Sequence, residues 1–180
     1  MISIINSEEK EQLEEWTKLK YYDIIYDTNV DDWKRFKKVF NNRIIGKRKL
    51  VFLINDEDNN LFGYYLNTEV IEKYDQIIPT DLTSFFFSLR SNGRLPKPMK
   101  FEITNKNCGY QLSDIDINGF MILLGDTRSG IFLHNKKYRH FSKCNQCKIY
   151  VNCHGYKHPL IGEKEKNKFI PQRIVVLQMN

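Results

Sequence analysis

Leu50-Val51-Phe52-Leu53-Ile54, then Asp56-Glu57-Asp58-Asn59-Asn60, then Leu61-Phe62-Gly63-Tyr64-Tyr65-Leu66 is the stretch on which the fold turns. Two short apolar runs rich in branched and aromatic residues flank a polar, acidic segment. That is the pattern of two strands joined by a tight turn, and Asn tolerates the left-handed backbone such a turn demands. Downstream, Phe85-Phe86-Phe87-Ser88-Leu89 is apolar at consecutive positions, which predicts a strand buried on both faces. Ser91-Asn92-Gly93 reads as a turn and Met99 to Ile103 as the partner strand. Further strands are expected at Gly109–Leu112, Phe120–Leu124, Ile131–His134 and Arg173–Gln178, separated by Asn107, Gly125-Asp126 and Ser129-Gly130.

Upstream of the hairpin the pattern changes. Asn6 with Glu9 reads as a helix cap, and Leu13, Trp16 and Leu19 follow at helical spacing, so a helix is expected over Ser7 to Lys20. It is polar on most of its circumference and is taken as an N-terminal extension over residues 1–21, with one domain over 22–180. Asp23-Ile24-Ile25-Tyr26-Asp27 predicts a short strand. Asp31 is expected to cap a second helix whose Trp33, Phe36, Val39 and Phe40 form one apolar face, and Glu69 to Asp75 to form a helical turn. Many short strands without strand–helix alternation predict a β-rich α+β fold: a two-sheet antiparallel β-sandwich decorated with helices.

Composition sets the outer limits. At 180 residues, 41% of them hydrophobic, the chain is long enough to fold on its core without disulfides. The 12 Phe and 10 Tyr favour pleated surfaces. No stretch approaches the roughly 18 apolar residues of a membrane helix, and Met1-Ile2-Ser3-Ile4-Ile5 is too short for a signal peptide. A cytoplasmic, reducing location is therefore expected, with the four cysteines as thiols or metal ligands. The net charge of +6 comes from Lys and Arg in runs no longer than three, such as Lys47-Arg48-Lys49, and reads as a solvated cationic surface.

The order of these segments resembles a known family. Ile24-Ile25-Tyr26-Asp27-Thr28-Asn29 is followed by an aromatic helix, a hairpin ending in Leu61-Phe62-Gly63-Tyr64-Tyr65, then Phe85-Phe86-Phe87-Ser88-Leu89. The last strand lies in Phe169-Ile170-Pro171-Gln172-Arg173-Ile174-Val175-Val176-Leu177-Gln178-Met179. Over Tyr22 to Asn180 the chain is similar to the TLDc domain of oxidation-resistance proteins, nuclear-receptor-coactivator relatives and the TBC/LysM-associated group, in a short stand-alone form. The resemblance implies a helix-flanked antiparallel sandwich, no catalytic residues, a role in protection against oxidative stress, and binding to the vacuolar-type proton ATPase. The chain departs from the family pattern at Tyr64, where a second glycine is usual, and at the reduced Gly125 and Gly130 region. Val175 also stands where an acidic residue is common in the closing strand.

Three chemistries other than protein binding have candidate residues in the sequence. Cys144-x-x-Cys147-x5-Cys153-His154-x3-His158 has metal-like spacing, since paired thiolates can grip Zn²⁺ and Cys153 with His154 or His158 can complete a tetrahedron. A domain with a full core does not need that metal, so no stoichiometric zinc or other cofactor is expected. A redox-active Cys144/Cys147 pair lacks the strand–helix setting that depresses a thiol pKa, although Lys143 and Lys148 are adjacent. Nucleic-acid binding through Tyr and Phe beside Lys and Arg is the main alternative, but no RRM, KH or zinc-finger signature is present. No Gly-x-Ser-x-Gly, His-Glu-x-x-His or P-loop motif occurs, so the chain is not expected to be an enzyme. Arg90, Arg94 and Arg173 flank strand ends and are reasonable anchors for a protein partner. No catalytic, cofactor-binding or metal-binding residue is assigned, and the protein is expected to be a monomer.

Overall fold

The computed structural model describes residues 4–20, 22–34, 36–92, 94–114, 119–145, 153–156, 158–161 and 167–180. The elements run α1 (Ser7–Thr17), β1 (Tyr22–Asp27), α2 (Phe36–Ile44), β2 (Leu50–Asp56), β3 (Leu61–Leu66), β4 (Ile78–Pro79), β5 (Phe85–Arg90), β6 (Met99–Glu102) and β7 (Gly109–Leu112). They continue with β8 (Phe120–Gly125), β9 (Gly130–His134), a 3-10 turn (Arg139–Phe141), β10 (Lys143–Asn145) and β11 (Pro171–Met179). The strands form two antiparallel sheets, one of six in the order β1-β11-β2-β3-β5-β6 and one of five in the order β10-β9-β8-β7-β4. The helix-decorated β-sandwich expected from the sequence is the architecture observed.

Strand alternation explains how the sheets meet. Phe52, Ile54, Phe62, Tyr64, Phe86, Ile174 and Val176 of the large sheet join Tyr110, Leu112, Ile122, Leu124, Ile131 and Leu133 of the small one in a single buried cluster. Side chains two apart share a face, so the intervening residues of the large sheet point the other way. These are Val51, Leu53, Leu61, Tyr65, Phe85, Phe87, Val175 and Leu177, and they form a second buried cluster with Ile5 and Leu13. Val175, at the position where an acidic residue was expected from the resemblance, is thus a packing residue with no exposed surface.

Helix α1 is the lid of that second cluster. Trp16 packs edge-on against Phe85 at 6.4 Å and tilted against Phe87 at 6.2 Å. Its first turn is closed by a capping box: Glu9 N–H donates to Asn6 Oδ1 and Asn6 N–H to Glu9 Oε2. It ends earlier than expected because Lys18 adopts φ 61° and its N–H bonds the Glu14 carbonyl. Glu9, buried, also accepts from Arg90, which donates to Asn59 in the β2–β3 turn as well. Leu13, 2% exposed, is the helix's innermost contact. Leu13→Ala is expected to cost about 2–3 kcal/mol in denaturant unfolding, the low end for a core leucine because one flank of the helix is solvent.

The hairpin turn has the anticipated chemistry. Asn59 takes φ 60°, and Asp56 Oδ1 accepts from the Asp58 and Asn60 N–H groups. Elsewhere the local structure departs from what the sequence pattern predicts. Helix α2 begins at Phe36, not beside Asp31, whose carboxylate instead accepts the Asp27 N–H at 2.9 Å. Trp33 lies outside the helix, buried, with its indole N–H on the His134 carbonyl. Residues Glu69 to Asp75 are not helical: Val70 exchanges backbone hydrogen bonds with Gly46 and Lys47, and Tyr74 bridges to Leu112. Among the described residues no helix is long and apolar enough to cross a membrane.

Candidate interaction surface

The three arginines singled out as anchors are all engaged within the chain. Arg90 pairs with Glu9 at 2.9 Å. Arg94 reaches Asp58 at 3.6 Å and the Ile161 carbonyl at 3.4 Å. Arg173 grips Asp27 with both ends of its fork, Nε to Oδ1 at 3.0 Å and a terminal nitrogen to Oδ2 at 2.6 Å. Sequence proximity to strand ends carried no information about these partners, which lie 81 and 146 residues away for Arg90 and Arg173.

Cys144 faces inward from β10 and is buried, Cys153 is half-buried against the same core, and His154 rests on Phe101 with ring centroids 6.1 Å apart. Cys147 lies outside the described residues, and among those described no three His, Cys, Asp or Glu side chains are grouped to hold a metal. Burial and the Asp126 carboxylate push the Cys108 thiol up to about 12, so it stays protonated at neutral pH.

What the fold does bring together lies on the outer face of the five-stranded sheet. Ile131 and Leu133 of β9 face the core, so Phe132 and His134 face outward, as Lys143 does on β10. Phe132 lies 6.3 Å from Phe120, Phe120 lies 5.7 Å from His134, and His134 lies 6.1 Å from Phe141. Phe141 then contacts Tyr138 and His140, making a continuous aromatic track. Cations flank it: Lys143 sits 4.6 Å over the Phe132 ring and Lys137 4.9 Å over Tyr138.

Local geometry fixes this arrangement. The Asn135 side chain, 4% exposed, accepts from the Lys137 and Tyr138 N–H groups and so holds the turn that lifts Lys136 and Lys137 into solvent. Gly119, at φ 66°, leaves the room this turn needs, since a Cβ there would lie 2.6 Å from the Asn135 amide and the Tyr138 ring. Sequence reasoning missed this surface, although the signal was available. Between Asp126 and Glu163 there are seven Lys or Arg, all four histidines and no Asp or Glu, so without this stretch the net charge falls from +6 to −1.

The positive field is felt by His134. Burial, then the charges of Lys143 and His140, push its imidazole down from 6.5 to about 4. A folded value below the unfolded one means that protonation favours unfolding, so stability is expected to decline as pH falls from about 6.5 towards 4. His134→Phe is expected to flatten that slope in urea midpoints measured across the range; an unchanged slope would place its origin elsewhere. A second feature, a groove of about 400 Å³ along the edge strand β1, is lined by Ile24, Tyr26, Val30, Asp31 and Arg43.

Two antiparallel sheets closed over one core, a helix sealing the outer face of the larger and a cationic aromatic track on the smaller, define a rigid sandwich that presents surfaces. The TLDc-domain family description matches residues 2–174 of the 180, and the chain belongs to that family. The matched span includes α1. No curated protein matches the chain.

Proposed function

We propose that this chain is a non-catalytic TLDc domain that works by binding protein, in the cytosol and as a monomer, with the vacuolar-type proton ATPase as its partner and protection from oxidative damage as its setting. The observation that carries this reading is the family match over residues 2–174, nearly the full length of the chain.

Affinity capture with the full chain from its native cytosol, under reducing conditions, tests the reading. Co-elution of proton-pump subunits in stoichiometric amount is the expected result. Recovery of nucleic acid without those subunits would replace it with the nucleic-acid reading, and turnover of a metabolite by the purified chain would make it an enzyme.

A further inference from the structure

We propose that the outer face of the five-stranded sheet, the track of Phe132, Phe120, His134 and Phe141 flanked by Lys137 and Lys143, is a docking surface for an acidic polypeptide segment that carries apolar side chains. The inference rests on the protein-binding reading above and gives that binding a place and a partner chemistry.

Charge complementarity is the first argument. The stretch from residue 127 to 162 carries the chain's entire net positive charge, and β9, the 3-10 turn and β10 belong to it. Lys136, Lys137 and His140 are exposed and Arg139 and Lys143 half-exposed, with Lys137, Lys143 and His140 set against rings of the track. A surface of one sign raises the encounter rate with a segment of the other and disfavours basic competitors.

Apolar chemistry is the second. Among the described residues, Phe141 is one of five large hydrophobic ones that stand substantially exposed, at 43%. Phe120, Phe132 and His134 are half-buried, so they offer edges and partial faces instead of isolated tips. Half-buried, with its pKa lowered to about 4, the His134 ring is uncharged at neutral pH and belongs to the apolar strip and not to its charged border. Aromatic anchors ringed by polar side chains are how a small interface concentrates its binding energy.

The same geometry argues against stacked bases. Neighbouring rings along the track are inclined at 45°, 62° and 57°, and Lys143 already covers a face of Phe132. Stacking successive bases needs ring faces that are open to solvent. Carboxylates interleaved with Leu or Phe suit tilted rings between ammonium groups better.

The test uses the full chain and a short fluorescent peptide alternating Glu with Leu and Phe, followed by anisotropy. Saturable binding that weakens with added salt is expected, with at least about a tenfold loss in the Lys137→Glu/Lys143→Glu variant, roughly 1.4 kcal/mol. Phe141→Ala is expected to weaken binding severalfold with thermal stability unchanged, which separates lost contact from lost fold. The proposal is overturned by no binding, by equal binding of the peptide with Gln in place of Glu, or by equal binding to the charge-reversed variant. It is also overturned if single-stranded oligothymidine or phosphatidylserine vesicles bind this face more tightly than the peptide, which would make it a nucleic-acid or membrane surface. Proton-pump capture by wild type and variant alike overturns this face as that partner's site and leaves the protein-binding reading intact. Peptide binding without any pump capture overturns the named partner and supports the surface.

Discussion

Gly63→Ala is expected to destabilise the protein by about 4 kcal/mol, and to lower the melting temperature by roughly 10 °C or more, since a chain of this size shifts by about 2–4 °C per kcal/mol. Gly63 is central in β3, opposite Leu53 on one side and Phe87 on the other. A Cβ there would stand 1.7 Å from the Phe52 carbonyl oxygen, 2.9 Å from its carbon and 2.9 Å from Phe87 Cζ. Two of those atoms are backbone in the middle of the six-stranded sheet, so relief requires moving β2 itself. The Phe87 ring is the softer obstacle. Adding Phe87→Leu is therefore expected to recover little, because the carbonyl remains; full recovery in the double variant would show that the ring alone decides. This also gives the resemblance's first departure a physical reading: one glycine at this position provides the clearance, and Tyr64, facing the inter-sheet core, is itself fully buried.

Asp27→Ala is expected to cost about 3–5 kcal/mol, the usual penalty for removing one partner of a buried ion pair. The Asp27 and Arg173 side chains are 4% and 14% exposed, so the abandoned guanidinium would have little water to turn to. Asp27 also accepts the Asn29 N–H at 3.0 Å, which shapes the turn after β1. Asp27→Asn keeps the shape and loses the charge, with an expected cost of about 1–3 kcal/mol. The double variant Asp27→Ala/Arg173→Met is expected to lose less than the two singles added together, since each single leaves the other charge stranded. The pH signature follows from the carboxyl's shift. Burial opposes its charge, but hydrogen bonds from Arg173 and from Asn29 N–H, with the guanidinium's own charge, outweigh burial and hold it below the usual value of 3.8. A lowered folded value stabilises above the unfolded one, so this contribution is present at neutral pH and lost as pH falls below about 4. Asp27→Asn should lack that acid limb, whereas His134→Phe alters the window above it; acid titrations of the two variants separate the groups.

The parts of the fold that the sequence announced are those whose signal is local. In Leu50–Ile54, Leu61–Leu66 and Phe85–Leu89 nearly every residue is apolar, and only a strand covered on both faces can bury such a run. The sequence could not say that α1 supplies one of the covers, because Trp16 meets Phe85 and Phe87 some seventy positions away. Strands β4 and β10 escaped notice because two or three residues carry no periodicity. Helix α2 was started too early because Trp33 fits its apolar spacing, yet Trp33 is held by a hydrogen bond to His134, 101 residues away. For the interaction surface the error was one of scale. Taken singly the short basic runs look scattered, while the asymmetry extends over more than thirty residues and is visible only as a missing sign of charge. The three arginines show the converse: long-range partners, invisible in one dimension, turned apparent anchors into struts.

Strand β11 runs between β1 and β2, pairing with one over Tyr22–Asp27 and the other over Leu50–Asp56. The strand latest in sequence order is therefore an interior plank of the larger sheet. Until it arrives, β2 has an open edge and β1 has no neighbour, and a chain that contains every other strand still leaves Phe, Leu and Val uncovered. Completion of that sheet must therefore wait for residues far along the chain, and truncation before Ile174 is expected to leave the β2 edge open instead of giving a shortened sandwich.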